Sequence, residues 1–333
     1  MKVLSIFILL PTVLHAKDLS SIYENIFKFN NLDLVSVGIT ECESQHVSKD
    51  YFAFCNALPY LENKEVLKFS NRGNSVSTEK IETGDFSSYT DQDHTRHYLR
   101  FQTSQGEVPS ALLNLASSVT VISKDYIPSD LGPSPFLSFF EKDKGAPLGM
   151  ALVNVESSFG KIKNKIIYTT RSEKNFIGFD FLNILGNFSI TRNSFSLEGD
   201  DVNCSESCVK VPLNYEAGQF YLKAEVDGYE YSLLLDTSSE ISSVPNKLND
   251  AFCINDFNLK DNLSSYEWKA IKDQSISLCQ LETKIRGLPV FKNYYLAGLN
   301  VEGERGVLGM NFFNSFDKVV FDIKEDYLYV FHK

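Results

Sequence analysis

Beyond residue 16, the sequence contains no apolar run that approaches the ~20 residues needed to span a bilayer. Positive charge is also scarce, because 32 Lys and Arg residues stand against 43 Asp and Glu residues and leave a net charge of −11. Binding to nucleic acid or to anionic lipid depends on Lys and Arg. We therefore expect no nucleic-acid partner. We also expect no membrane partner once any leader is removed.

The motifs of several enzyme classes are missing as well. The chain has no Gly-rich phosphate loop, no Gly-x-Ser-x-Gly elbow and no His-Glu-x-x-His pair. Serine-type and zinc hydrolases are therefore poorly supported, and no cofactor and no metal is expected. The composition is that of an ordinary folded protein, 43% hydrophobic and 23% charged. The length allows two domains of average size, each with its own core.

The first 16 residues, MKVLSIFILLPTVLHA, have the pattern of a secretory signal peptide. Lys2 supplies the positive start, residues 3–14 the apolar stretch, and Ala16 the small residue before a cleavage site. A buried strand or helix at the N-terminus is the alternative. We expect a secreted or extracytoplasmic protein, without a membrane anchor once residues 1–16 are removed.

Six cysteines agree with export, because disulfides form and persist in oxidising compartments. They fall in neighbouring pairs along the chain, which predicts the disulfides Cys42–Cys55, Cys204–Cys208 and Cys253–Cys279. This is one of the fifteen pairings that six cysteines allow. A zinc site at Cys204-x3-Cys208 is poorly supported, because no second Cys or His pair lies nearby.

Two segments of the chain recur in the same order. Residues 97–123 match residues 219–245 at an offset of 122, and residues 176–190 match residues 307–321 at an offset of 131. A chance match is unremarkable for one segment, but two matches in the same order at similar offsets predict a duplicated domain.

Each copy is predicted to be β structure. In the second copy, an alternating apolar pattern is broken at Asp227-Gly228, a hairpin turn signal, and the weaker equivalent in the first copy is Gln105-Gly106. The predicted fold class is all-β, with two similar lobes. The expected boundaries are an N-terminal region (17–96) that is part of the first lobe, a first lobe (97–200) and a second lobe (201–333).

The second copy also carries a resemblance to a known family. Residues 233–239, Leu-Leu-Leu-Asp-Thr-Ser-Ser, resemble the active-site strand of pepsin-like and retropepsin-like aspartic peptidases, in which an apolar strand ends in Asp-Thr-Gly or Asp-Ser-Gly. Residues 306–309, Gly-Val-Leu-Gly, resemble the closing hydrophobic-hydrophobic-Gly segment of that family. The resemblance covers residues 97–330. It implies a two-lobed pepsin-like acid-protease barrel, with one catalytic Asp from each lobe.

The chemistry of that family needs two carboxylates that share one proton. Asp236 matches one of them, and Thr237 and Ser239 are expected to hydrogen-bond the carboxylate and fix its orientation. The offset of 122 puts Asn114 at the position of the missing second Asp and Ser117 opposite Ser239. Asparagine is isosteric with aspartate but does not titrate, so it cannot exchange the shared proton.

Asp125 and Asp180 are the alternatives for the second carboxylate. Asp125 and Asp180 do not lie at the end of the matched strand, and Asp180 is predicted to be an acidic residue at a helix N-terminus. The Lys161–Lys165 cluster, KIKNK, is predicted to be a solvated hairpin.

Two classes of function remain open. In the first, the protein is an exported aspartic peptidase acting on peptides or proteins, with a catalytic pair formed by two Asp236 residues of a homodimer. In the second, it is a catalytically inactive pseudo-peptidase that binds or inhibits peptides or proteins, holding an extended segment by strand addition. The mismatch between Asp236 and Asn114 favours the second on chemical grounds, while the motif around Asp236, which departs from the family only at Ser238, favours the first.

Overall fold

Strands make up most of the described chain. The computed structural model describes residues 19–27, 31–44, 52–62, 68–70, 75–76, 78–81, 94–128, 149–173, 175–199, 202–204, 208–216, 219–245, 253–254, 277–298 and 305–332. The proposed signal peptide (1–16) lies outside these residues. The helices are α1 (Leu19–Phe27), α2 (Val35–Ser44), α3 (Phe52–Leu61), α4 (Phe179–Leu185) and α5 (Met310–Phe313), with a 3₁₀ turn at Leu32–Leu34.

Twenty-two strands are present in the described residues. Those up to residue 200 are β1 (Lys68–Ser70), β2 (Ser75–Val76), β3 (Thr78–Ile81), β4 (His94–Thr103), β5 (Glu107–Leu113), β6 (Val121–Ser123), β7 (Gly149–Ser157), β8 (Gly160–Thr170), β9 (Phe176–Ile177), β10 (Phe188–Ile190) and β11 (Phe195–Leu197). The others are β12 (Cys208–Pro212), β13 (Asn214–Glu216), β14 (Gln219–Val226), β15 (Tyr229–Leu235), β16 (Ser242–Val244), β17 (Cys253–Ile254), β18 (Ser277–Ile285), β19 (Phe291–Ala297), β20 (Arg305–Leu308), β21 (Lys318–Asp322) and β22 (Tyr327–Phe331).

Three sheets organise these strands. The first lobe is an eight-stranded sheet in the order β1-β8-β6-β9-β5-β4-β3, with β7 paired to β4 and β8. The second lobe is an eight-stranded sheet in the order β13-β14-β15-β20-β16-β19-β18-β17. A six-stranded sheet, β12-β22-β21-β10-β11-β2, takes strands from both halves of the chain and connects the lobes.

The duplication predicted from the sequence is confirmed strand by strand. In the first lobe β5 runs parallel to β9, with Leu112 opposite Phe176. In the second lobe β15 runs parallel to β20, with Leu234 opposite Val307. These pairs are related by the two predicted offsets of 122 and 131, so each half contains the same strand–loop–strand unit. The fold is therefore all-β and two-lobed, as predicted.

The connecting sheet gives the two lobes a continuous apolar core. Strands β10 and β21 pair antiparallel, with Phe188 opposite Phe321 and the ring centroids 4.6 Å apart. Phe220 of the second lobe makes an edge-to-face contact with Phe179 of the first at 4.8 Å. Because aromatic burial dominates such cores, the two lobes are held as one packed body.

A separate apolar cluster lies under the N-terminal helices. Leu19, Ile22 and Ile26 of α1 pack in this cluster with Val121 and Tyr168 of the first-lobe sheet. The short strands β1 and β3, which also precede residue 97, pair with β8 and β4 of the same lobe. The N-terminal region thus covers and extends the first-lobe sheet.

All three predicted disulfides are present, linking Cys42 to Cys55, Cys204 to Cys208 and Cys253 to Cys279. The predicted hairpin turn also forms between β14 and β15. Asp227 and Gly228 there have φ angles of 50° and 84°, which is the conformation that a two-residue turn with the strand twist requires. None of the described helices has the length and apolar character needed to cross a membrane.

Candidate functional site

The loop that follows β15 holds the Asp236 carboxylate in a fixed orientation. The backbone N–H of Asp236 donates to the Leu308 carbonyl at 3.0 Å, which ties the loop to β20. The Ser238 N–H and hydroxyl donate to Oδ1 at 2.8 and 2.7 Å, and the Ser239 hydroxyl donates to Oδ2 at 2.6 Å. Asp236 as a whole residue is 8% exposed. Ser239 therefore has the contact expected from the sequence, and Ser238 makes a second contact through its side chain.

The equivalent loop after β5 holds Asn114 in the same backbone arrangement. The Asn114 N–H donates to the Ile177 carbonyl at 2.9 Å, as Asp236 does to β20. Its Oδ1 accepts the N–H groups of Ala116 and Ser117 at 2.9 and 3.2 Å. The Ser117 hydroxyl donates to the Val119 carbonyl, so Ser117 braces the loop rather than the Asn114 side chain. Only the Nδ2 amide of Asn114, a donor, remains for an outside partner.

Thr237 joins the two loops. Its hydroxyl donates to the Leu113 carbonyl at 2.6 Å and accepts from the Leu115 N–H at 3.2 Å. These are the backbone groups on either side of Asn114, so the Asn114 loop and the Asp236 loop are in direct contact. The Thr237 bonds run to the other lobe and not to the Asp236 carboxylate. Leu115, which stands at the position equivalent to Thr237, is apolar and returns no side-chain bond.

Two further polar contacts cross between the lobes beside the loops. Gln219, at the start of β14, donates through Nε2 to the Ala116 carbonyl of the Asn114 loop. Arg96, on β4, forms an ion pair with Glu240 of the Asp236 loop. Each lobe therefore contributes one strand residue that contacts the Asn114 or Asp236 loop of the other lobe. Neither contact is visible in the sequence, because the partners are more than 100 residues apart.

Duplicated strand–loop–strand units, with their loops in direct contact, give the chain two equivalent lobes. The chain has an all-β fold of two equivalent lobes joined by a shared sheet, as the resemblance implies. The two equivalent loop positions hold Asp236 in the second lobe and Asn114 in the first.

No protein-family model and no curated protein matches this chain. Similar solved structures include an aspartic proteinase from Irpex lacteus, 12% identical over 78% of this chain and 97% of that chain, with a TM-score of 0.47. Conglutin gamma, a basic 7S globulin from lupine seeds, is 10% identical over 80% and 96%, with a TM-score of 0.48. Basic 7S globulin from soybean is 11% identical over 78% and 97%, with a TM-score of 0.40.

A buried polar group lies behind each of the two loops. In the second lobe, Asn311 of α5 accepts from the Ser242 N–H and hydroxyl through Oδ1 and donates to Asn293 through Nδ2. The Gly309 N–H donates to the Ser242 hydroxyl at 3.1 Å. A Cβ at Gly309 would lie 2.7 Å from the Ile241 backbone, so only glycine fits where α5 approaches the loop.

The first lobe has the same arrangement in charged form. Asp180 of α4 replaces Asn311, Thr120 replaces Ser242, and Lys165 replaces Asn293. The Lys165 ammonium lies 2.5 Å from the Asp180 carboxylate, which also accepts from the Thr120 hydroxyl at 2.7 Å. Both charged side chains are fully buried. Burial lowers the pKa of Lys165 and raises the pKa of Asp180, while each charge offsets part of the shift in the other.

This pair corrects the expectation for Lys165 and removes Asp180 as an alternative second carboxylate. Lys165 was expected in a solvated hairpin, but only Lys161 and Lys163 of the cluster are exposed. Asp180 does lie in the first turn of a helix, as predicted. Its carboxylate is held inside the first lobe by Lys165 and Thr120, so it is not available as a second carboxylate beside Asp236.

His97 is a buried titratable group next to the interlobe contact made by Arg96. Its side chain is fully buried in β4, and neither ring nitrogen has a hydrogen-bond partner among the residues that the structure describes. Burial lowers the pKa of His97 from 6.5 to about 4. The unfolded chain therefore binds a proton at this residue in a pH range where the folded protein does not.

We expect this histidine to make the protein less stable in acid. Between pH 6.5 and about 4 the unfolded state binds more protons, so stability is complete above pH 6.5, falls as the pH decreases and levels off below about 4. The loss amounts to about 3 kcal/mol. Urea unfolding at several pH values gives the free energy of unfolding of the wild type and of His97→Phe as a function of pH. The difference between these two pH curves measures the contribution of His97. Parallel curves would contradict the assignment.

Proposed function

We propose that this protein binds extended peptide segments across the Asn114 and Asp236 loops and does not turn them over as an aspartic peptidase does. The observation that carries the proposal is the identity of the two equivalent loop residues, one a carboxylate and the other an amide. Hydrolysis in this fold needs one carboxylate to take a proton from water while the other donates a proton to the peptide carbonyl. A pair with one titratable member cannot perform both steps.

The same two side chains suit recognition of a peptide backbone. Asp236 is an acceptor that its loop holds through Ser238 and Ser239. Asn114 commits Oδ1 to its own loop and retains Nδ2 as a donor. A peptide laid across the loops would give its N–H to Asp236 and its carbonyl to Asn114. Backbone bonds of this kind provide affinity in strand-addition complexes, and side-chain pockets provide selectivity.

Export is part of the proposal. The three disulfides use all six cysteines, which is typical of proteins in oxidising compartments. The signal-peptide pattern of residues 1–16 supports the same location. We therefore place the binding of peptide or protein ligands outside the cytoplasm.

The peptidase hypothesis survives as a second candidate in one form, a homodimer whose two Asp236 residues form the catalytic pair. The intact hydrogen-bond set of Asp236 favours it. Against it, the position facing Asp236 is taken within the same chain, because Thr237 bonds to both backbone groups that flank Asn114. Activity of such a dimer would be lost on dilution and abolished by Asp236→Asn, which distinguishes it from the binding proposal.

Peptide binding can be tested without knowledge of the natural ligand. A random octapeptide library displayed on phage is selected on the purified protein, and the enriched peptides are measured by fluorescence anisotropy. We expect Asn114→Trp, which places a large ring on the loop, to abolish binding of these peptides. Asn154→Trp, at an exposed position of β7, is the matched control and should bind as the wild type does. Equal binding by both variants would show that peptides do not use these loops.

A further inference from the structure

A second candidate site lies on the exposed face of the second lobe, formed by strands β14, β15, β18 and β20. A cavity of about 680 Å³ opens there. Its lining includes four cations and two acids, namely Lys223, Lys284, Arg286, Arg305, Glu225 and Glu230. A local excess of positive charge is unexpected on a chain with a net charge of −11.

The sheet register lines up three of the cations. Ser232 of β15 lies opposite both Lys223 of β14 and Arg305 of β20. Arg286 follows Ile285, which is paired with Ala224, and so lies beside Lys223. Arg305, Ser232, Lys223 and Arg286 thus form one lateral row, which we call the basic row. Residues in such a row project to the same face, with neighbouring strands about 4.8 Å apart.

The cations of the pocket differ in how they are neutralised. Arg305 makes two bonds of 3.0 Å to the Glu216 carboxylate, and Lys284 lies 2.8 Å from Glu225. Within the described part of the chain, Lys223 and Arg286 have no ion pair. Like charges on adjacent strands destabilise a sheet, so a ligand with negative charge would relieve the repulsion between these two residues.

We propose that this pocket binds an acidic peptide segment through Lys223 and Arg286. Alternate side chains of an extended peptide project to one face about 6.8 Å apart. Two acidic side chains on that face of the peptide can therefore reach Lys223 and Arg286, which lie on neighbouring strands of the basic row. The guanidinium of Arg286 suits a carboxylate in a two-bond geometry, and the Lys223 ammonium suits a second carboxylate. The cavity is also larger than a single inorganic anion requires. Long-range repulsion by the acidic chain is screened beyond about 8 Å at physiological salt.

The proposal is tested by fluorescence anisotropy with the full chain and a labelled nonapeptide of alternating Glu and Gly. We expect the double variant Lys223→Gln/Arg286→Gln to bind this peptide about tenfold more weakly or worse, because two charge-assisted contacts are lost. Lys161→Gln/Lys163→Gln, which removes the same charge from exposed positions of the first lobe, should bind within about twofold of the wild type.

Two results would overturn the proposal. An equal loss in both double variants would show that affinity depends only on net charge. Binding of inorganic phosphate in the absence of any binding of the Glu–Gly peptide would show that the pocket is a simple anion site. A labelled Lys–Gly nonapeptide serves as the charge control and should not bind to the pocket.

Discussion

Asn114→Asp is expected to create acid peptidase activity in this chain. The Ala116 and Ser117 N–H groups that bond Oδ1 of Asn114 would bond a carboxylate oxygen in the same way. The new carboxylate would face Asp236 and share a proton with it. Proton transfer by a positioned group contributes about 100-fold or more, so we expect a gain of about that size in casein hydrolysis at acidic pH. Leu115 limits the gain, because it has no hydroxyl to return the contact made by Thr237.

Two controls separate this effect from a change in charge or a contaminant. Asn154→Asp introduces the same charge at an exposed position of β7 and should leave hydrolysis unchanged. Asp236→Asn in the Asn114→Asp background should abolish the gain, because one titratable group again remains. Activity that persists in this double variant would contradict a catalytic pair at these two positions.

Lys165→Met is expected to cause the largest loss of stability. The substitution leaves the fully buried Asp180 carboxylate without its cation, and removal of one partner of a buried ion pair costs about 3–5 kcal/mol. Urea unfolding at pH 7 should show this loss in the free energy of unfolding. Asp180 accepts a hydrogen bond from Thr120, which follows the Asn114 loop. We therefore expect the loss of stability to be accompanied by a local opening of the first lobe.

The second lobe indicates which additional substitution should restore the stability lost in Lys165→Met. There the equivalent positions are Asn293 and Asn311, a neutral pair with the same hydrogen-bonding role. Lys165→Met/Asp180→Asn removes both charges from the first lobe and should lie within about 1.5 kcal/mol of the wild type. A double variant as unstable as the single one would mean that packing, and not an unpaired charge, sets the cost.

Much of the fold could be predicted from the sequence because the duplication repeats local signals. The two offsets placed β5 on β15 and β9 on β20, and the structure pairs them in that way. The turn at Asp227-Gly228 was predictable because both residues tolerate positive φ. The disulfides could be predicted because each cysteine bonds to its neighbour along the chain.

Other features were not predictable because they depend on tertiary contacts. Alternation along β8 places Lys161, Lys163 and Lys165 on one face, but the register between β7 and β8 shifts by one residue before Lys165. Asn164, with φ of 54°, lies at this bulge, and the bulge turns Lys165 to the buried side. The bond from Thr237 to the other lobe spans more than 120 residues, and no local pattern indicates it.

We propose that the Asn114 and Asp236 loops bind a peptide and leave it uncut. The most direct measurement incubates the monomeric protein with a selected peptide at acidic and at neutral pH, and follows anisotropy and mass spectra in the same sample. Our account predicts that the peptide stays bound and is recovered at its original mass. Cleavage of the peptide by the wild-type monomer, abolished by Asp236→Asn, would contradict it.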